Sequence, residues 1–127
     1  MALSTSSVAM MLPVTDPHRA QQFYSEKLGL PFEGTNAEGS LIYRLAGGSE
    51  LVLLPRPDST PSPSTALSFE VTGIEGEIAT LAAQGVVFED YDLPDLKTTD
   101  HVCVMGSEKA AWFLDPDGNV LCVHENL

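Results

Sequence analysis

The apolar residues of this chain come in short runs broken by Gly, Pro, Asn and Asp, a rhythm that predicts strands with two helices among them. Residues 8–12 form an apolar run ending at Pro13-Val14 and predict a first strand. Asp16 and Pro17 then open a helix, Asp16 as N-cap and Pro17 at the first helical position, where its missing N–H costs nothing. Ala20, Phe23, Tyr24 and Leu28 recur at helical spacing, and Gly29 supplies a left-handed stop. Phe23 and Tyr24 therefore read as core residues, and His18 as a solvated side chain. Strands over residues 31–34, 41–45 and 50–54, separated by Asn36–Gly39 and Gly47-Gly48, predict an antiparallel meander.

Residues 55–65 hold four prolines and no large apolar side chain, so they read as a semi-rigid connector. The same order then begins again. Residues 66–71 predict a strand, and Thr72 to Glu75 a capping box. Ile74, Ile78, Leu81 and Ala82 form the apolar stripe of a second helix stopped by Gly85. The six residues at 28–33 and those at 84–89 share Gly, Phe and Glu at an offset of 56, which supports an internal duplication. The second half adds a loop over 92–100 before a strand at 101–105. It ends in a hairpin, with apolar runs at 110–114 and 120–123 flanking Asp115-Pro116-Asp117-Gly118-Asn119. Each half thus reads as strand, helix and three strands, an α+β pattern of two modules at about 8–54 and 66–125 within one domain of 127 residues.

Charge narrows the partners. Eighteen acids against six bases give −12, and from residue 66 onward the only bases are Lys97 and Lys109. Binding to nucleic acid or an anionic membrane needs cations to replace counterions, so both are disfavoured, while a cationic ligand is attracted. No apolar run approaches the roughly 20 residues of a membrane span. The first residues show no basic or long apolar leader, so a cytoplasmic protein with reduced Cys103 and Cys122 is expected.

Residues 11–30, with Asp16 ahead of the helix, Phe23-Tyr24 inside it and Leu28-Gly29 closing it, closely resemble the opening of the vicinal oxygen chelate superfamily. That group includes glyoxalase I, extradiol dioxygenases, and the bleomycin and fosfomycin resistance proteins. Residues 111–119 resemble its final hairpin. The resemblance implies two tandem βαβββ modules whose mixed sheets curl into a cup around one ligand site. Metal-dependent members carry His, Glu or Gln at four cup positions, which fall here at Ala9, Val52, Ala66 and Cys122. Three of these lack a donor atom, so no cofactor is expected. The alternative is a divalent metal at a site displaced by two residues, using Glu50, Glu70 or His124, which share the strand parity of Val52, Ala66 and Cys122.

A metal-free cup would be lined by Met11, Val52, Leu54, Ala66, Ser68, Val120 and Cys122, a mixture suited to a small organic molecule. Trp112 and Tyr43 are candidates to stack on a planar or cationic ligand, with core packing the competing role for Trp112. Arg44 would either fix an anionic group or pair with a surface acid. The loop over 93–100 is placed to form a lid, while His101 reads as a loop-end residue and Cys103 as a small apolar thiol. No Ser-His-Asp arrangement is evident, and Cys122 has only His124 near it as a base, so no catalytic residue is assigned. Two functions follow. One is a binding protein that sequesters an antibiotic or toxic metabolite, working as a homodimer like the bleomycin resistance proteins it resembles. The other is a glyoxalase-related lyase, isomerase or dioxygenase, using a displaced metal or a metal-free general base.

Overall fold

Asp16 caps the first helix as its place in the sequence predicts: its side chain accepts a hydrogen bond from the Arg19 amide at 3.2 Å, and Pro17 begins α1 (Pro17–Gln21). The helix does not run on as a regular α-helix. In the computed structural model, which describes residues 2–127, it widens into a π-helical segment over Gln22–Lys27, with the Leu28 amide reaching back to the Phe23 carbonyl. Gly29 then leaves the helix at a φ of 70°, a conformation that favours glycine.

The chain divides after Thr60 into two compact units, and this division falls within the proline-rich segment. In the first, β1 (Ala9–Val14), β2 (Phe32–Thr35), β3 (Leu41–Arg44) and β4 (Glu50–Pro55) form one sheet in the order β1-β4-β3-β2. β1 runs parallel to β4, and the other pairs are antiparallel. Strand β1 extends two residues beyond its expected end and takes in Pro13, which an edge strand tolerates because one side of its backbone has no ladder to join. Leu12, Val14, Leu41, Leu51 and Leu53 are buried, together with Phe23 and Tyr24 of the helical segment.

The second unit repeats this plan. Strand β5 (Thr65–Glu70) precedes α2 (Ile74–Ala83). A short ribbon follows, β6 (Asp92–Leu93) with β7 (Leu96–Lys97), and then β8 (Cys103–Met105), β9 (Glu108–Leu114) and β10 (Val120–Asn126). The order β5-β10-β9-β8, with β5 parallel to β10, is the first sheet's order again. The shared topology is far stronger support for duplication than the six-residue match. Ile74, Ile78 and Leu81 of α2 are buried, as are Leu121, Val123, Phe113 and Phe88.

Three expectations are corrected. Thr72 does not cap α2; the N-cap is Gly73 at a φ of 73°, and no side chain of its own bonds the helix end. Glu125 of β10 does so instead, accepting from the Gly73 and Ile74 amides at 2.7 and 3.1 Å. The loop over 92–100 is partly a hairpin, with Asp92 paired to Lys97 and the Thr98 hydroxyl accepting from the Tyr91 amide at 2.8 Å. The strand expected from 101 begins at Cys103, because Asp100 and His101 both take positive φ, at 51° and 72°.

Candidate functional site

Side chains alternate across a strand, so each sheet has one face toward its helix and one away from it. In the first unit Tyr43 pairs with Leu51 and Leu41 with Leu53, and the Tyr43 hydroxyl lies 2.7 Å from Ser25 Oγ of the helical segment. That row therefore faces the helix. Tyr43 is fully buried there, its ring against Tyr24 and Phe32, and the expectation that it stacks on a ligand is withdrawn. Burial pushes its hydroxyl up, against the lowering effect of the Ser25 hydrogen bond. The opposite, open face carries Met11 beside Val52, Arg44 beside Glu50, and Leu54 beside Pro13. Arg44 takes the second of its two expected roles. Its Nε is 2.7 Å from Glu33 and its Nη2 3.4 Å from Glu50, and these carboxylates raise the guanidinium further.

In the second unit, Lys109 reaches Glu75 of α2 at 2.8 Å and Glu125 caps the same helix, so odd-numbered residues of β9 and β10 face the helix. The open face therefore carries Ala110, Trp112, Cys122 and His124, with Ser68 paired to Cys122 and Glu70 to His124 on β5. Ala66 is the unpaired residue at the irregularity between Val120 and Leu121, where the alternation is interrupted. The other five candidates of this module share one face. Cys103 joins them, buried opposite Ala110.

Two features of this face were not legible from sequence. Tyr91 stands edge-on to Trp112, with ring centres 5.7 Å apart, because Glu89 donates to the Trp112 carbonyl and lines the preceding segment along β9. Burial raises the Tyr91 hydroxyl, and the nearby Glu89 and Cys122 add to the effect. Ser68 Oγ also lies 2.5 Å from His124 Nδ1. These residues are 56 apart, so no local signal joins them; the parallel register of β5 and β10 does. The Cys122 thiol is pushed up by burial, more than Ser68 and the Ala111 backbone lower it, so it stays protonated at neutral pH. His101 is not a bare loop-end residue: Nδ1 bonds Asp90 at 2.8 Å, and the ring packs on Phe88. Cavities of about 380 and 470 Å³ beside the β6–β7 ribbon are both lined by Lys97 and Thr99.

The four positions that ligate metal in the family's enzymes can be tested against these faces. Ala9 sits beside Glu50 on the first open face with Val52, Cys122 lies on the second, and Ala66 is at the irregularity of β5. Two alanines and a valine offer no lone pair, and the fourth position is a protonated, buried thiol. Among the described residues no three His, Cys, Asp or Glu side chains are grouped to hold an ion. These residues do not fit a divalent metal centre.

Two four-stranded mixed sheets of the same order, each with one helical segment against it, define a tandem βαβββ protein. The model of the Glyoxalase/Bleomycin resistance protein/Dioxygenase superfamily matches residues 7–123, and the chain belongs to that superfamily. Among solved structures it resembles a glyoxalase family protein of Bacillus anthracis in fold, with a TM-score of 0.72 at 21% identity, covering 96% of this chain and 93% of that one. TnmS3, an antibiotic binding protein from Streptomyces sp. CB03234, gives a TM-score of 0.72 at 25% identity, with 100% and 99% covered. A glyoxalase family protein from Enterococcus faecalis gives 0.67 at 29% identity, with 94% of each chain covered. No curated protein sequence matches the chain.

Proposed function

We propose that this protein binds a small organic molecule on the open face of its second sheet, without a metal or other cofactor, and thereby sequesters an antibiotic or a toxic metabolite. One observation carries the reading. Where the family's enzymes set ligating side chains, this module has Ala66 and a quiet thiol, and beside that thiol on the open face stands the Tyr91–Trp112 aromatic corner. An apolar surface with an aromatic wall and a few polar groups holds an organic ligand by burial and orients it by hydrogen bonds. Glu70, Ser68 and His124 supply the polar edge. The net charge of −12 favours a cationic or neutral planar ligand over an anion. The antibiotic-binding name of TnmS3 supports the same class. The first module's open face, with Met11, Val52 and Leu54, offers a second apolar surface of the same kind. We propose a homodimer in the cytoplasm as the working form, with no nucleic-acid or membrane partner.

Trp112 is the only tryptophan, so its emission reads this face directly. A thermal-shift screen over cationic antibiotics, aromatic metabolites and thiol adducts should find a saturable stabiliser whose effect survives EDTA. The same compound should change Trp112 emission. Trp112→Ala should weaken its binding at least about tenfold, or ~1.4 kcal/mol. Stoichiometric nickel, zinc, iron or manganese in protein purified without chelator would refute the metal-free reading. Undiminished binding by the Trp112 variant would move the ligand elsewhere.

A further inference from the structure

The open face of the second sheet holds one arrangement that ligand binding alone does not call for. Ser68 Oγ lies 2.5 Å from His124 Nδ1, and the other ring nitrogen, Nε2, lies 3.9 Å from Glu70 Oε1. Asn126 Nδ2 donates to that same carboxylate oxygen at 3.3 Å. The 3.9 Å between Nε2 and Glu70 is an electrostatic approach rather than a hydrogen bond; in the Nε2–H tautomer the ring turns its N–H to the Glu70 side and its Nδ1 lone pair to Ser68. The Nδ1 lone pair then accepts the Ser68 proton. Hydroxyl, imidazole and carboxylate thus stand in the order that activates a serine nucleophile, recognised by geometry rather than by chain position.

Backbone placement adds to this. β5 is an edge strand of its sheet, and the Val71 amide donates to the His124 carbonyl. Alternation along a strand turns the amides of Ser68 and Glu70 the other way, outward from the sheet. The Ser68 amide is thus a backbone donor on the outer edge of β5, carried by the same residue as the hydroxyl. The neighbouring Cys122 is buried, and its S–H donates to the Val123 carbonyl.

We propose that Ser68 is an acyl-accepting nucleophile, with His124 as its general base and Glu70 as a positioning residue, acting on small aryl or similarly activated esters. Ser68 Oγ bonds to the ester carbonyl carbon while its proton passes to Nδ1. The bond from carbon to the leaving oxygen breaks, and the departing alcohol takes that proton. Water then adds to the acyl carbon and gives one proton to Nδ1. The acid leaves as the Ser68–acyl bond breaks, and the proton returns to Oγ. The sum is ester plus water to acid plus alcohol, with no other reactant. The ester ring fits the Tyr91–Trp112 corner, but the inference rests on the polar trio and stands or falls apart from the sequestration reading.

The probe is a fluorophosphonate, followed by intact mass and peptide mapping on the full chain. The expected result is one adduct per chain at Ser68, absent in Ser68→Ala and formed at least about 100-fold more slowly in His124→Gln. Ser68→Cys keeps the side-chain shape and should be labelled by an activated thioester in place of the fluorophosphonate. Glu70→Gln should slow labelling, and Glu70→Asp should restore part of the rate without changing the melting temperature. No adduct on wild-type protein, an adduct that persists in Ser68→Ala, or an undiminished rate in His124→Gln overturns the proposal.

Discussion

Tyr43 and Arg44 are neighbours in sequence, yet they belong to different faces of one strand, and that difference decides what each can do. Tyr43 is sealed against the helix by its hydrogen bond to Ser25. Tyr43→Phe should cost about 1 kcal/mol in chemical denaturation and leave ligand affinity unchanged. A loss of affinity would contradict its placement on the helix side. Cys122 is a second case where surroundings set chemistry. Its thiol is buried and raised, so too little thiolate forms at neutral pH for reaction. Iodoacetamide at pH 7.5 should modify Cys122 at least about tenfold more slowly in the folded protein than in the unfolded chain, as peptide mass spectrometry would show. Residue types and alternation were enough to read Ser68, Glu70, Cys122 and His124 as one face, while Trp112 had two open roles until the β9–β10 pairing placed it opposite Cys122. They did not reveal Tyr91, whose place depends on a backbone bond between Glu89 and Trp112.

Elements here are closed by partners distant in sequence. Glu125 caps α2 from the last strand, and the Gly73 and Ile74 amides hold its carboxyl below the usual range. A carboxyl lowered by folding stabilises the protein at pH above its unfolded value, about 4.3, and that contribution is lost as pH falls through the folded value. Glu125→Gln should therefore lower the melting temperature at pH 7, with the gap to wild type closing as pH falls below about 4. A gap that persists at acid pH would show that charge is not what the cap uses. The β9–β10 turn behaves as its sequence predicts, and the structure supplies the reason. Asp115 is nearly buried and accepts from the amides of Asp117 and Asn119, each at 2.9 Å, while the Asn119 side chain bonds its other oxygen at 2.9 Å. Asp115→Ala leaves the buried Asn119 donors without this acceptor and should cost roughly 1–3 kcal/mol by denaturant titration.

For the molecule as a whole, charge and metal independence give the clearest tests. A chain at −12 repels itself, so raising NaCl from about 10 mM to 0.5 M should raise the melting temperature as that repulsion is screened. EDTA should leave the melting temperature where it was, because Ala9, Val52 and Ala66 have nothing to coordinate an ion. A drop of several degrees on chelation would count against both the site and the proposed function.

By itself the sequence determined the strand–helix–strand order, the duplication, the superfamily and the missing donors at three of four positions. These follow from local chemistry: turn residues, helix caps, side-chain period and residue type. Only the tertiary structure decided that Tyr43 belongs to the core, that Arg44 is held by Glu33 and Glu50, that Glu125 caps α2, and that Ser68 meets His124. Each of these contacts joins residues apart in the chain. It depends on which strands pair and in which register, and a one-residue slip would send every side chain to the other face.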